Sequence, residues 1–596
     1  MLPPNISRCF SFLLGLLLWL LCVPALRAQT PCPTGPISFI FIDNHSLFDT
    51  SDPASDRRFG WAYRLANALH IRTRRSVIER ELLFGPGDCF DQYLLEETER
   101  LLRGYQFLSQ VDLFGVPQPD GSYHVIVDTR DQWSTQFDLR LALEEGFRLE
   151  GFRLRETNLL GTGQELGLFY VDRDVTRDYG VAFATPQLAG TRWDLSGALG
   201  RTRAGTLAEQ VVAYPFVGEV GHWAARQSFK REDQFFDYIT ADSTRLETQH
   251  VLLPVREKVF DVGLGLRIGE RGSLTTLGAM ISYEELTYPG LPQVAVGGNF
   301  DDRVPADSQM IALLARQTQQ LGSIRFGVLL GQRNIWWVKR RGFDSLRGQQ
   351  DIPLGAEAAL AFARSIPALE RDDDLVTSFR LYTGIEYGDA LFLGRARADV
   401  RRDFDAVDAA GEWKDLYAEG ELLNYWKPPG LPRHTFFLRA VGTSGWNTRT
   451  PFQLTLGGDR HLRGYREERF PGGQRLIVNA EDRIYLGWPW RDVFDLGATL
   501  FVDAGRMWPG DAPFGGDSGW RASAGIGLRG SFPAGSRNTF RVDFAAPIEG
   551  LKLNKFRLIF SASELLGIIG SNTPDVQLLR SRNEGVSSEL FRFRNQ

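Results

Sequence analysis

The chain has 596 residues, of which 24% are charged and 43% hydrophobic, and its net charge is only -5. That length exceeds one ordinary globular domain, and a charge so small and so evenly spread gives no case for a nucleic-acid partner. No stretch beyond the first 28 residues offers the roughly 18 consecutive apolar residues that a transmembrane helix needs, and the mean hydropathy of -0.21 agrees.

Arg8, an apolar run from Phe12 to Leu21, and the segment Val23-Pro24-Ala25-Leu26-Arg27-Ala28 read as an export signal over 1–28 with cleavage after Ala28. An exported chain without a spanning helix is either soluble or a β-barrel. Cys9 and Cys22 fall within the signal, which leaves Cys32 and Cys89 in an oxidising compartment where they can pair. Nothing in the sequence fixes their separation, so that disulfide stays open.

Pro36 to Ile42 reads as a strand. Trp61 to His70 has helical character, with Trp61, Leu65, Ala68 and Leu69 near one face. A second helical segment runs from Arg74 to Leu83 and stops at Gly85-Pro86-Gly87, and a third starts near Asp91 and reaches Gly104. Phe107 to Val116 and Tyr123 to Val127 read as strands joined by a Pro119-Asp120-Gly121 turn. A small α+β unit over 29–131 follows.

After Asp131-Gln132-Trp133 the helical period disappears. Alternating segments occur at Phe137–Leu143, Phe152–Arg155, Leu166–Val171, Gly180–Ala184, Trp193–Leu199, Val211–Phe216, Phe260–Ile268, Thr275–Tyr283 and Ile311–Ala315. They continue at Ala356–Phe362, Ser378–Ile385, Leu391–Val400, Leu416–Leu423 and Thr435–Ala440, and the segments between Lys230 and Gln350 can also be hairpins of outer loops. Hairpin-sized spacing over so long a stretch predicts an antiparallel β-barrel over 132–563 with a raw count of 16 to 20 strands. The 62 glycines, about a tenth of the chain, and 12% aromatics suit a membrane barrel.

Leu456 to Tyr465 opens a loop that ends near Gly473, and two sharply alternating strands follow. In the first, Asn479, Glu481 and Arg483 share a polar side; in the second, Thr499, Phe501, Asp503 and Gly505 share the side opposite Leu500 and Val502. A loop arginine is ordinarily solvated. Here Arg463 precedes carboxylates on the same side of the next two strands, so the loop is expected to fold back and be fastened by Arg463 to Asp503 or Glu481, with Gly464 permitting close approach and Tyr465 acting as a polar-tipped wedge. After that loop five strands remain, the last at Phe556–Ser561.

Enzyme signatures fail. Gly525 to Gly530 spells a dinucleotide fingerprint but alternates as a strand, and Gly516-Asp517-Ser518-Gly519 reads as a turn. The seven histidines show no metal-ligand spacing, His461 included. No catalytic residue, metal or cofactor is expected.

Arg463-Gly464-Tyr465, Asn479-Ala480-Glu481-Asp482-Arg483 and Phe501-x-Asp503-x-Gly505 together resemble the C-terminal signature of the BamA/TamA superfamily of bacterial outer-membrane assembly and translocation barrels. The resemblance implies a barrel of about 16 strands, with the long loop before the twelfth, preceded by one POTRA domain. Glu97 to Leu102 with Gln106-Phe107-Leu108 is similar to that domain's second helix and exit. It also implies unfolded outer-membrane or secreted polypeptides as clients, periplasmic accessory proteins, a lipid environment, and insertion or translocation as the function. A dedicated secretion translocator and a passive porin-like barrel are the alternatives. Two departures from the family stand out: the additional helix before His70, and a C-terminal tail over 564–596 in which Phe591 and Phe593 are rival candidates for a last strand.

Overall fold

The computed structural model describes residues 32–48, 60–142, 148–173, 176–240, 249–297, 299–369, 372–405, 412–466, 469–487, 493–548 and 556–561. The expected signal over 1–28 and tail over 564–596 lie outside the described residues.

The N-terminal unit comprises β1 (Ile37–His45), α1 (Gly60–Leu69), α2 (Arg75–Glu79), α3 (Gln92–Arg103), β2 (Leu108–Pro117) and β3 (Tyr123–Asp131). Its sheet order is β1-β3-β2, with β1 parallel and β2 antiparallel to β3. Asp91 starts α3 by accepting a hydrogen bond from the Tyr93 amide, and Gly121 closes the β2–β3 turn at a φ of 82°. The second helix is shorter than the expected Arg74–Leu83, because Glu81 N bonds Ile78 O and Leu82 N bonds Glu79 O, tightening the chain into a turn. Val77, Ile78, Leu95 and Leu102 from the helices pack on Ile37, Val111, Val125 and Val127 from the sheet. Cys32 and Cys89 form a disulfide, with their Cα atoms 5.3 Å apart.

The second part begins with β4 (Thr135–Ala142), β5 (Arg148–Leu159), β6 (Gln164–Arg173), β7 (Thr176–Thr185), β8 (Asp194–Arg201) and β9 (Thr206–Tyr214). Three longer strands follow, β10 (Trp223–Thr240), β11 (Gln249–Glu270) and β12 (Ser273–Thr287), then a hairpin of β13 (Gln293–Val296) and β14 (Asn299–Pro305) and the helix α4 (Ser308–Gln317). Next come β15 (Leu321–Arg341), β16 (Gln349–Ser365), β17 (Asp374–Tyr387), β18 (Ala390–Asp403), β19 (Trp413–Trp426) and β20 (His434–Trp446). A small hairpin of β21 (Leu454–Leu456) and β22 (Phe470–Gly472) precedes β23 (Gln474–Tyr485), β24 (Asp495–Trp508), β25 (Arg521–Ser531), β26 (Phe540–Pro547) and β27 (Arg557–Ser561).

These strands run round a closed barrel in which β27 neighbours β4. Since β12 pairs directly with β15, the β13–β14 hairpin is an appendage on β11. Among the described residues the ring therefore holds twenty strands, β4 to β12, β15 to β20 and β23 to β27, where the family resemblance implied about 16. The long loop accordingly precedes the sixteenth ring strand, not the twelfth, although five strands do follow it. Two of the strands were hidden in the sequence. Consecutive charges from Lys230 to Asp233 blur the alternation of β10, and the inward side of β15 mixes Leu329 and Ile335 with Arg325 and Arg333. Conversely, Ile311–Ala315, expected as a strand, is helical. Asp307 caps α4 by accepting from Met310 N at 2.8 Å, and a run of five apolar residues fits a helix as well as a strand.

Polarity along the ring is inverted relative to a water-soluble barrel. On β11, Phe260, Val262, Leu264, Leu266 and Ile268 point outward and are exposed, while Val259, Asp261 and Arg267 are buried inside. The N-terminal unit closes against one end of the ring. Arg74 N donates to Gly161 O at 2.8 Å, Gln187 Nε2 to Val77 O at 3.0 Å, Glu219 N to Glu97 Oε2 at 2.9 Å, and Arg103 Nη2 to Asp351 Oδ1 at 2.7 Å. Each ring residue named lies at or beside the connection from an odd-numbered strand to the next, so all those connections face the unit.

The disulfide ties the start of the N-terminal unit to the approach of α3 across 57 residues. Cys32→Ser should lower the unit's unfolding free energy by about 2–4 kcal/mol. Denaturant unfolding followed by protease resistance checks this; reductant should reproduce the loss in the parent protein, and an unshifted midpoint would contradict the stabilising role.

Candidate functional site: an arginine lock inside the ring

The loop between β20 and β23 leaves the ring at the end away from the N-terminal unit and turns back into the interior. Its descending arms pair as β21–β22, with Leu454 opposite Gly472 and Leu456 opposite Phe470. Phe452, Leu454, Leu456 and Leu462 bury themselves against Tyr417, Ile477 and Met507 of the wall. Gly457 reverses the chain at a φ of 128°, where a side chain would also run into Arg466 O at 2.2 Å. His461 is held inside this turn, its Nδ1 lying 3.0 Å from Gly457 O. Gly505 lets the loop lie against the wall, because a Cβ there would stand 2.9 Å from Leu476 O and 3.1 Å from Leu456 Cδ1.

Arg463 is at the tip and its side chain is wholly buried. Its Nε donates to Asp503 Oδ2 at 2.9 Å and its Nη2 to Asp503 Oδ1 at 2.6 Å, forming a two-pronged contact. The Arg463 main-chain amide adds a third bond to the same carboxylate at 3.1 Å. Nη1 donates to Glu481 Oε1 at 2.6 Å and reaches Asp543 Oδ2 at 3.4 Å. The guanidinium also lies over the Phe501 ring, 3.5 Å from its centroid. Burial by itself opposes the charged form, yet Asp503 and Glu481 hold the Arg463 pKa above the ordinary arginine value, so it stays a cation.

The neighbouring residues explain the tripeptide. A Cβ on Gly464 would sit 2.6 Å from Ala546 C and 2.7 Å from Ser523 Cβ, so only glycine lets the tip press into the β25–β26 wall. Tyr465 packs its ring edge-on against Phe470 and donates its hydroxyl to Ala522 O at 3.3 Å. Asn479 Nδ2 bridges His461 O at 2.8 Å and Asp503 Oδ1 at 2.9 Å, fastening the loop backbone to the lock. From the last strand, Arg557 donates to the Tyr465 carbonyl.

The structure thus brings Arg463, Gly464, Tyr465, Glu481, Asp503 and Gly505 into one place. It adds residues that sequence reasoning missed. Arg541 Nη2 donates to Glu481 Oε1 at 2.7 Å and its Nε to Asp543 Oδ2 at 2.8 Å, so β26 supplies a second cation and a third carboxylate. The signal was available, since Arg541 and Asp543 alternate with outward Phe540 and Phe544. Arg483 Nε donates to Glu481 Oε2 at 2.7 Å while its Nη1 donates to Asp344 Oδ1 at 3.0 Å. Asp344 belongs to the β15–β16 connection, which enters the ring from the opposite end, and Tyr425 also donates to it at 2.6 Å. A continuous ionic chain therefore links the loop tip, through Glu481 and Arg483, to a segment beside the N-terminal unit. No periodicity marks Asp344, because it lies in a connection. The two motif-like segments have structural roles: Gly525–Gly530 is part of β25, and the Ser518 hydroxyl accepts from Met507 N at 2.9 Å.

Buried ion pairs fix geometry more than they add stability, but removing one partner strands the other charge and costs about 3–5 kcal/mol. Arg463→Ala should release the loop, so that trypsin cuts at Arg466 or Arg469 while the ring stays folded; resistance equal to the parent's would count against the lock. Asp503→Asn should give the same exposure, and the double variant should fall short of the summed losses by about 0.5–3 kcal/mol. Simple additivity would show that the two residues act separately.

Residues 432–557, which contain the loop and its partners on β23, β24 and β26, match the Omp85 superfamily domain. A search of curated proteins finds no match. Among solved structures, CdiB from Escherichia coli is 11% identical, covering 94% of this chain and 97% of that one with a TM-score of 0.41. CdiB from Acinetobacter baumannii is 12% identical over 88% of this chain and 73% of that one, with a TM-score of 0.41. BamA from Haemophilus ducreyi lacking POTRA domains 1–3 is 13% identical over 88% and 84%, with a TM-score of 0.34. Likeness at that level is too slight to carry a functional argument. The family match does not depend on it: the chain carries an Omp85 superfamily domain, the superfamily to which its Arg-Gly-Tyr and Phe-x-Asp-x-Gly motifs point.

Proposed function

We propose that the chain is an outer-membrane barrel that inserts or assembles client polypeptides, with residues 29–131 acting as a POTRA domain beneath its periplasmic mouth. The observation that carries the reading is the Arg463 lock within an Omp85 superfamily domain. The outward apolar sides of the ring strands and their buried charged interior support a lipid setting. The two ends of the ring order meet at β4 and β27, and among the described residues β27 pairs with β26 from Arg557 to Ser561. If these first and last ring strands part, their edges offer backbone groups that an incoming strand can take up, so this seam is the place to template a client. Arg557, on β27, also holds the loop backbone, which connects the seam strand to the lock.

The twenty-strand ring favours a second reading. Barrel diameter grows with strand number, and a wider interior suits passage of a dedicated secreted partner through the lumen once the loop withdraws. No catalytic residue or cofactor enters either account.

Proteomics of the outer membrane after depletion separates the readings. General loss of other barrels supports insertion, loss of one secreted protein supports the translocator, and ion conductance with every client unaffected would leave a passive pore. The lipid setting has its own test. Leu264→Arg, on the outward side of β11, should cost about 2–4 kcal/mol if that position lies near the bilayer midplane. Unfolding in lipid vesicles reads this, and an unchanged stability would place that face elsewhere.

A further inference from the structure

The helix α1 is unusual in what it leaves outside. Tyr63 and Ala66 face inward onto Leu47, Phe48, Trp133, Val493 and Phe532, while the opposite side presents Trp61, Leu65 and Leu69, at 65%, 52% and 66% exposure. Ile71 continues the ridge at 54%. The spacing of four residues stacks these side chains along one side of the helix, a ridge about 12 Å long. Had the segment evolved only to fill the core, its larger apolar side would face in. A water-facing ridge of tryptophan and leucines calls for an occupant.

Its location says which occupant. Val493 and Phe532 belong to the β23–β24 and β25–β26 connections, and Trp133 immediately precedes β4, so α1 spans the rim on both sides of the junction between β27 and β4. Asn67 pins it by bonding both the amide and the carbonyl of Phe48, at 3.1 and 2.8 Å, and His70 Nε2 lies 2.8 Å from Asp131 Oδ2. At the same end of the ring, Phe137 on β4, Phe540 on β26 and Phe560 on β27 are exposed on the outer surface, so the ridge and this end of the ring both present apolar side chains outward. Arg64, Arg72, Arg74 and Arg75 are exposed on or next to the helix. A short amphipathic helix with tryptophan and leucine on one side and arginines at its margins has the composition of an interfacial membrane segment.

We propose that the ridge of α1 lies in the periplasmic leaflet of the outer membrane, among anionic phospholipid headgroups, and holds the N-terminal unit against the bilayer beneath the seam. The inference rests on the reading of the ring as a membrane barrel. Anchored in this way, the unit is tied to the bilayer beside the seam as well as to the ring connections that already hold it. The arginines meet the headgroup phosphates while the apolar ridge enters the boundary with the acyl chains.

The test uses the chain from residue 29 onward, without the expected signal and its Cys9 and Cys22, reconstituted in vesicles of phosphatidylethanolamine and phosphatidylglycerol carrying nitroxide lipids. A thiol-reactive fluorophore is placed in separate proteins at Leu65→Cys on the ridge, Ile526→Cys on the outer face of β25, and Phe41→Cys on the exposed sheet face of the N-terminal unit. Cys32 and Cys89 are joined and do not compete for the label. Quenching at position 65 as strong as at 526, with none at 41, is the expected result, and Leu69→Cys should repeat it. Quenching at 526 without quenching at 65 overturns the anchor and leaves the barrel reading standing. No quenching at either overturns both, and equal quenching at 41 overturns the assignment to this ridge. Replacing phosphatidylglycerol by phosphatidylcholine, or Arg64→Glu with Arg74→Glu, should weaken the signal at 65 alone; an unchanged signal would overturn the role of anionic headgroups. A spectral shift at 65 that follows protein concentration and ignores lipid would assign the ridge to a second copy of the chain and overturn the proposal.

Discussion

A guanidinium removed from water needs carboxylates within reach, and that requirement organises the C-terminal third of this chain. Arg463 finds them on three strands, Glu481 on β23, Asp503 on β24 and Asp543 on β26. Each acid would in turn be costly inside the ring without a cation, so loop and wall are reciprocal conditions of one another. Planarity matters here as much as charge, because two prongs on Asp503 and a third contact to Glu481 define the direction in which the loop tip must enter. Glycine at 464 and 505 supplies clearance where the backbone and wall would otherwise collide.

The lock is one station on a longer chain of charges. Glu481 is shared by Arg463, Arg541 and Arg483, and Arg483 passes the contact to Asp344 on a connection that enters from the other end. The same connection lies beside the β25–β26 turn, where Arg537 donates to the carbonyls of Tyr105 and Leu108 in the N-terminal unit. The outer loop is thus joined by successive polar contacts to connections that touch the inner domain. Contact of this kind supplies a route for coupling, and coupling itself is an energetic quantity that only paired substitutions measure.

The two ends of the ring are built differently. On the far side the β13–β14 hairpin, α4 and the long loop cover the opening, with Gln453 Nε2 donating to Ile239 O and Pro513 O across it. On the near side the N-terminal unit engages successive connections by hydrogen bonds and ion pairs, and α1 is the helix of the unit that turns a ridge of large apolar side chains away from the protein, as the sheet does with Phe39, Phe41 and Phe114. That contrast is why α1, which the family pattern did not call for, stands apart from the unit's other helices.

How much of this was legible beforehand follows from where side-chain alternation is clean. The strands β23 and β24 keep Leu476, Val478, Leu500 and Val502 on the side opposite Asn479, Glu481, Thr499 and Asp503, so their inward acids and the loop arginine could be named from order alone, and the family motifs reinforced them. Where alternation is broken, as by Lys230 to Asp233 on β10 or by Arg325 and Leu329 sharing a side on β15, strands went unseen; the raw count of 16 to 20 reached twenty, whereas the family resemblance implied about 16. The sequence by itself determined the β-rich class, the helical and strand order of the N-terminal unit, and which face of the late strands is polar, because those are local periodicities. Only the tertiary structure decided that Asp543, Arg541 and Asp344 join the lock, that Cys32 meets Cys89, and that Trp61, Leu65 and Leu69 face outward. Each of those depends on distance between segments far apart in the chain, and a linear pattern carries no information about distance until the ring is closed.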